Sequence, residues 1–174
     1  MPNEQPELQR VSSEALFALA RELFAMGKRI KFVVVGSSMF PFIRHDKDMV
    51  TLAGATFDHI RTSDIVLAYK ERQNKYVLHR VVKKAPQSFY MAGDAQTFLD
   101  GPYPPEALIG IVTAIHRIDK RGGELVIAGR FYKLLARLWL LIRPFRPAVF
   151  FVYALMRGRV SIKALFRRRP KANQ

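Results

Sequence analysis

The sequence predicts a mainly β protein: an antiparallel, coiled β domain with an N-terminal amphipathic helix and a basic, helical C-terminal segment. Short runs of β-branched and aromatic residues recur from residue 30 to residue 128, separated by turn-forming residues, which is typical of antiparallel strands. Apolar residues at helical spacing precede these runs, and two apolar helical segments follow them. These changes of pattern divide the 174 residues into segments 1–28, 29–128 and 129–174.

The first segment combines a polar arm, residues 1–11, with a helix predicted over residues 12–26. The arm lacks the apolar stretch of a secretory signal. Ser12 or Ser13 is suited to cap the helix, and Gly27 is suited to end it. The helix is too short and too charged to span a bilayer, which requires about 20 apolar residues. Its apolar side consists of Leu16, Leu19, Leu23 and Phe24.

The middle segment contains the strand-like runs. They cover residues 30–35, 48–53, 64–70, 76–83, 88–92, 108–118 and 124–128. Residues 100–105 contain glycine and prolines, and we expect them to form a loop. Short strands at this spacing predict an antiparallel sheet that is closed or coiled on itself.

The third segment has two apolar helical runs, residues 131–142 and 148–156, separated by a break that contains two prolines. Neither run reaches the roughly 20 apolar residues that a membrane span needs. We therefore expect a basic amphipathic pair that lies on a membrane surface or on a partner. The alternative is a helical hairpin packed on the β domain. Residues 166–174 form a basic tail.

The net charge of +15 is strongly segregated, because no acidic residue follows Glu124. Such segregation is typical of proteins that meet nucleic acid or an anionic membrane surface. No helix-turn-helix pair precedes the β domain, and the aromatic residues near the C-terminus lie among leucines and valines. We therefore expect residues 129–174 to contact an anionic membrane and not nucleic acid. The expected location is the cytoplasm or the cytoplasmic face of a membrane.

Cysteine is absent, which excludes disulfides, thiolate zinc sites and cysteine nucleophiles. The four histidines are scattered without the spacing of metal ligands. The sequence therefore predicts neither a metal nor another cofactor, and it leaves the oligomeric state open.

Three short blocks contain residues suited to acyl-transfer chemistry. Ser38 follows a predicted strand and Gly36, which present its hydroxyl on a rigid edge. His79 lies in a strand-like run, and its ordinary pKa of about 6.5 suits it to accept a serine proton near neutral pH. Asp94 and Asp100 follow in a glycine-led segment, from which one carboxylate can accept a hydrogen bond from the second ring nitrogen of His79.

Each block has an ordinary structural explanation when taken alone. A strand-to-turn junction often has capping serines, a half-buried strand histidine needs no catalytic role, and aspartates are common in turns. In this order, however, the three blocks supply all the members of a Ser-His-Asp triad, and the order of triad residues along a chain carries no chemistry.

The blocks also match a known family as an ordered set. The matching residues are Ser38-Met39-Phe40-Pro41, Asp64-Ile65-Val66, His79-Arg80-Val81, Gly93-Asp94 with Asp100, and Ile109-Gly110-Ile111-Val112. Over residues 31–118 the chain resembles the signal peptidase and LexA-type superfamily of serine proteases. Among these it is most similar to the archaeal and endoplasmic-reticulum signal peptidases, which use histidine where the bacterial signal peptidases and LexA-type enzymes use lysine.

The resemblance implies the coiled β fold of that superfamily, with Ser38 as nucleophile and His79 as general base. Asp100, or less readily Asp94, would orient His79. The backbone N–H of Ser38 would hold the oxyanion. The neighbouring Ser37, Met39 and Pro41 would lie on the oxyanion or substrate side of the site.

Three features depart from the family pattern. Ser63 stands where glycine is usual, Gly36 stands where many signal peptidases have a second serine, and an amphipathic helix replaces the usual membrane-spanning one. The function expected is a serine endopeptidase that removes a leader, signal or propeptide segment from a peptide or protein substrate. The alternatives are an inactive binding module with this fold, or a protein that acts through its basic C-terminus on a membrane or on nucleic acid.

Overall fold

The computed structural model describes residues 13–118, 124–127 and 129–156. The predicted polar arm and the basic tail lie outside these residues. Three α-helices and eight β-strands follow one another along the described chain. They are α1 (Ser13–Ala25), β1 (Ile30–Val33), β2 (Asp48–Ala53), β3 (Ile65–Lys70), β4 (Lys75–Ala85), β5 (Ser88–Ala92), β6 (Asp100–Tyr103), β7 (Leu108–Ile118), β8 (Glu124–Ile127), α2 (Arg130–Leu141) and α3 (Arg146–Met156).

The strands form one antiparallel sheet in the order β1-β2-β7-β3-β4-β5-β6, and β8 pairs with β7 outside this row. Every strand pair is antiparallel. The prediction of a mainly antiparallel β protein with a helical C-terminal segment is confirmed. Strands β2, β5 and β7 coincide with the predicted runs, because alternation of side chains within a strand is a local property of the sequence.

Strand β6 corrects the sequence analysis, which expected a loop at residues 100–105. Asp100–Tyr103 pairs with β5 through Met91 opposite Asp100 and Phe89 opposite Tyr103. Because β6 is at the end of the sheet, its proline removes no hydrogen bond that a second neighbour would need. Because β5 also pairs with β4, this pairing places Asp100 on the second strand from β4 in the sheet.

The core consists of three apolar clusters, one of which includes residues of α1. One of them joins Met39 to Val50, Ile65 and Ile115, so the segment after β1 is part of the core. Helix α1 packs through Ala20 and Phe24 on Leu52, whereas Leu19 is exposed. The predicted apolar side of this helix is therefore only partly buried.

Helices α2 and α3 pack on the segment that follows β1. The ring of Phe42 contacts Tyr132 and Trp139 of α2, and the ring of Phe40 contacts Phe150 and Tyr153 of α3. Among the described residues, no single helix combines the length and apolar composition of a membrane span. The ranges Tyr132–Leu141 and Arg143–Met156 meet those criteria only as a pair, and the chain bends by 69° between them.

Candidate active site

Ser38 lies in a tight turn after β1. Gly36 has a φ of +106°, a conformation that residues with a side chain rarely adopt, and its N–H donates to Nδ1 of His45 at 2.9 Å. The amide of Phe40 donates to the Ser37 carbonyl at 3.1 Å and closes the turn. Strand β1 ends at Val33, before the end of the predicted run at residue 35, so the turn and not the strand end holds the Ser38 hydroxyl.

Ser38 and His79 meet in space although they lie on distant strands of the sheet. Strands β2, β7 and β3 separate β1, which precedes Ser38, from β4, which carries His79. The sheet curls enough to bring Ser38 Oγ to 3.2 Å from Nε2 of His79. His79 is 7% exposed, so this contact is largely shielded from solvent. A serine hydroxyl within hydrogen-bond reach of an imidazole is the arrangement that activates a nucleophile.

Asp100 is the carboxylate that faces the other ring nitrogen of His79, but it does not bond to it. Its Oδ2 lies 4.0 Å from His79 Nδ1, and that buried nitrogen has no hydrogen-bond partner among the described residues. Lys70 Nζ donates to Asp100 Oδ1 at 2.5 Å, and the Tyr103 hydroxyl donates to Oδ2 at 2.8 Å. Both carboxylate oxygens are therefore held by other groups.

The environment keeps His79 neutral and Asp100 ionised. Burial lowers the pKa of His79 below its ordinary value, although the charges of Asp100 and Asp94 act in the opposite direction. Burial alone would raise the pKa of Asp100, but the hydrogen bonds from Lys70 and Tyr103 outweigh it and hold that pKa below its usual value. At neutral pH the imidazole is therefore ready to accept a proton, close to a negative charge.

Asp94, the second aspartate that the sequence offered to His79, is paired with Arg80. Its oxygens accept from Arg80 Nε at 2.8 Å and from Arg80 Nη2 at 2.6 Å, and both side chains are fully buried. Arg80 also donates to the Ser63 carbonyl and to the Tyr132 hydroxyl. Although burial disfavours the guanidinium charge, the hydrogen bonds that Arg80 donates to Asp94 keep the pKa of Arg80 above its usual value. Asp94 therefore neutralises a buried cation and does not orient His79.

The three residues expected on the oxyanion or substrate side differ in exposure. Ser37 is exposed and Pro41 is half-buried, so both lie at the surface beside Ser38. Met39 is 1% exposed and packs in the core with Val34 and Ile43. Met39 is therefore a core residue of the turn, whereas Ser37 and Pro41 are the two of the three that reach the surface.

The segment after β5 packs directly against the Ser38 turn. The amide of Ala95 donates to the Ser38 carbonyl at 2.8 Å. A Cβ atom at Gly93 would lie 2.6 Å from that carbonyl oxygen and 2.8 Å from Oε1 of Gln96, closer than real contacts allow. Glycine is therefore required at position 93 for the two segments to approach.

The sequence analysis missed four residues that contact this site. Lys70 and Tyr103 bind Asp100, the indole N–H of Trp139 donates to the Asp94 carbonyl at 2.8 Å, and Arg146 donates to the carbonyls of Gly93 and Gln96 at 3.0 and 2.6 Å. Tyr103 lies on the same strand as Asp100, whereas Lys70, Trp139 and Arg146 come from elements distant in sequence from the residues they bind. The apolar setting of Arg146, after a proline break, is the one local signal that it is a buried cation.

A cavity of about 580 Å³ lies beside Asp100. Lys70, Asp100 and Tyr103 line it together with polar residues of the β3–β4 turn, whereas Ser38 and His79 do not. The cavity therefore reaches the candidate site only through Asp100 and the two residues that bind it. In the described part of the chain, no three His, Asp or Glu side chains are grouped so as to hold a metal ion.

No protein-family model matches the chain, and no curated protein matches it either.

Proposed function

We propose that the protein is a serine endopeptidase of the signal-peptidase type, built on the coiled β fold of the signal peptidase and LexA superfamily. The observation that carries the proposal is the contact between Ser38 Oγ and His79 Nε2, at 3.2 Å. The low exposure of His79 and the nearby charge of Asp100 support it, because a base must be neutral before attack and its cation must be stabilised afterwards.

In the proposed reaction, Ser38 Oγ attacks the scissile carbonyl carbon while its proton passes to Nε2 of His79. The backbone N–H of Ser38 donates to the oxyanion that forms. His79 then gives the proton to the leaving amine, the C–N bond breaks and an acyl-enzyme remains. A water molecule, deprotonated by His79, attacks the acyl-enzyme and releases the carboxylate product, and the proton returns to Ser38.

The proposed role of Asp100 is to stabilise the imidazolium. At 4.0 Å its carboxylate acts through charge, and a shift of about 1 Å brings it within hydrogen-bond distance of His79 Nδ1. Catalytic hydrogen bonds are often longer in an empty site than in a substrate complex. Lys70 and Tyr103 hold the carboxylate in place from the other side, so we assign them positioning roles.

The substrate we propose is a leader, signal or propeptide segment. A second candidate function is a binding module in which Ser38 and His79 lie together without turnover. The distance of 4.0 Å between Asp100 Oδ2 and His79 Nδ1 favours it, because Nδ1 has no hydrogen-bond partner among the described residues to fix the tautomer of the ring.

Peptide cleavage by point variants tests the proposal. The full-length protein is incubated with a degenerate library of leader-like peptides, and the products are read by mass spectrometry. We expect cleavage by the wild type, and a loss of about a thousandfold or more in kcat for Ser38→Ala and for His79→Gln. Ser88→Ala on β5 and His59→Gln in a short, exposed 3-10 helix are the matched controls and should retain activity.

The pH profile tests the identity of the base. Burial lowers the pKa of His79, so His79 should remain neutral down to pH 6.5. We therefore expect kcat/KM to decrease on acidification only below pH 6.5, where His79 begins to be protonated. A rate that rises only well above pH 8 would indicate a lysine base and contradict the assignment of His79. Wild-type protein that cleaves nothing while still binding peptides would favour the binding module.

A further inference from the structure

The C-terminal helices present a broad apolar surface to solvent. We call this surface the outer face. Ten exposed large apolar side chains on two consecutive helices and the break between them differ from the single apolar residues that are normal at a protein surface. Leu138 is 50% exposed and Met156 is 83% exposed. The outer face consists of Leu134, Leu135, Leu138, Leu141, Ile142, Phe145, Val149, Phe151, Val152 and Met156.

The opposite side of the same helices is already occupied by the protein. Ala136 and Arg146 are fully buried, and Trp139 and Phe150 contact the rings of Phe42 and Phe40. We call this opposite side the inner side. Packing on the β domain explains why the inner side is apolar, but it does not explain the apolar outer face.

Cations flank the outer face. On α2, Leu134 and Leu138 form an apolar stripe one helical turn apart, and exposed Lys133 and Arg137 form a parallel stripe directly beside it. A leucine stripe beside a Lys/Arg stripe is typical of helices that lie in a membrane interface. The sequence after α3 adds Arg157, Arg159, Lys163, Arg167, Arg168, Arg169 and Lys171, and no acidic residue follows Glu124. Clusters of this size next to an amphipathic helix attract anionic lipid headgroups.

Other occupants fit this surface less well. A nucleic acid would need a platform of aromatic rings for base stacking, but eight of the ten residues of the outer face are aliphatic and only Phe145 and Phe151 are aromatic. The rings of Trp139, Tyr132 and Phe150 face the β domain. A second copy of the chain would bring basic surfaces of the same sign together, which opposes self-association. Neither objection applies to a bilayer that contains anionic lipid, because it offers both apolar depth and negative charge.

We propose that the outer face docks on the surface of an anionic lipid bilayer, with its leucines among the acyl chains and its cations at the headgroups. The inference goes beyond the proposed function and stands without it, because it uses none of the candidate catalytic residues. The helix α3 and the candidate active site are adjacent in space. Phe150 of α3 contacts the ring of Phe40, two residues after Ser38, with ring centroids 6.1 Å apart. Docking would therefore hold the Ser38 turn close to the lipid surface.

Vesicle flotation of the full chain tests this proposal. The vesicles are pure phosphatidylcholine, or equal parts phosphatidylcholine and phosphatidylglycerol. We expect partition into the anionic vesicles only, and a loss of about tenfold or more for Leu138→Glu, since that change removes a leucine that would enter the acyl chains and adds a negative charge. Arg137→Gln should weaken partition about fivefold, the effect of one cation near a charged surface.

Matched variants separate docking from general effects. Leu125→Glu on β8, where Leu125 is 59% exposed, and Lys47→Gln in an exposed turn should float as the wild type does. Circular dichroism checks that each variant is folded. Ser38→Ala should also float as the wild type does. Evidence against peptidase activity would therefore not contradict docking on the bilayer.

Two outcomes overturn the proposal. One is the absence of flotation with anionic vesicles, or flotation that Leu138→Glu leaves unchanged. The other is a wild-type dimer in sedimentation that Leu138→Glu converts to a monomer while flotation is absent, which would make the outer face an interface between copies of the chain.

Discussion

Ser63 has a backbone conformation that residues with a side chain rarely adopt, with a φ of 80°. Its hydroxyl is buried and has no hydrogen-bond partner among the described residues. The backbone is well bonded, because its N–H donates to the Val81 carbonyl at 2.9 Å and its carbonyl accepts from Arg80. Glycine adopts such a backbone conformation without strain, because it has no Cβ.

Replacing Ser63 with glycine should therefore stabilise the protein. Ser63→Gly removes left-handed strain and a buried unsatisfied hydroxyl, each worth about 1 kcal/mol or more, against about 0.5–1 kcal/mol for the greater freedom of glycine in the unfolded chain. We expect the free energy of unfolding in urea to rise by about 1 kcal/mol.

Asn74 supplies the matched control for this prediction, because its φ is also positive, at 44°. Asparagine adopts this region readily, and the Asn74 side chain accepts a hydrogen bond from Tyr69 at 2.6 Å, so Asn74→Gly should not stabilise. A lower unfolding free energy for Ser63→Gly would show that the serine hydroxyl makes a favourable interaction.

At the scale of elements, α2 and α3 stabilise the segment behind the Ser38 turn. The Trp139 indole and the Arg146 guanidinium donate to three carbonyls between Gly93 and Gln96. That segment in turn donates from Ala95 to the Ser38 carbonyl. The helices are thus connected to the Ser38 turn through one intervening loop.

Trp139→Phe tests this connection. The change keeps most of the ring but removes the hydrogen bond to the Asp94 carbonyl, and we expect the free energy of unfolding to fall by about 1–2 kcal/mol. If the peptidase proposal holds, kcat should fall more than KM rises, because the loop supports the nucleophile. Leu134→Ala, on the exposed side of α2, should change the unfolding free energy by less than about 0.5 kcal/mol. Equal effects of the two changes would contradict a supporting role for the inner side.

At the scale of the whole molecule, buried ionisable groups link stability to pH. Burial alone would raise the pKa of Asp48, but hydrogen bonds from Arg44 and Arg117 outweigh it and hold that pKa below its usual value. Such a carboxylate stabilises the fold above its unfolded pKa and loses this effect as the pH falls through its folded pKa. His79, whose pKa is also lowered, stays neutral in the fold at a pH where the unfolded chain binds a proton.

The melting temperature should therefore fall in two stages on acidification. The first stage begins below about pH 6.5, as the unfolded state gains a proton on His79, and the second lies below about pH 4, as Asp48 and Asp100 are protonated. Calorimetry from pH 8 to pH 3 measures both. His79→Gln should reduce the first stage, and the exposed-site control His59→Gln should keep it. A first stage of equal size in both variants would exclude His79 as its cause.

The sequence by itself determined what depends on neighbours along the chain. Alternating side chains marked β2, β5 and β7, and two prolines marked the break between the C-terminal helices. The chemistry of single residues also sufficed to nominate Ser38 and His79 as a nucleophile and a base. Their catalytic roles stay predictions.

Tertiary structure decided what depends on which strands meet. It assigned Asp94 to Arg80, directed Asp100 towards His79, placed Met39 in the core and formed β6 where glycine and proline indicated a loop. It also decided which side of α2 and α3 is packed and which is exposed. Strand pairing and sheet curvature bring together residues 14 to 53 positions apart, as in Arg80–Asp94 and Gly93–Arg146. No local pattern specifies such a contact, because its free energy exists only once the sheet has curled and its polar groups have left water.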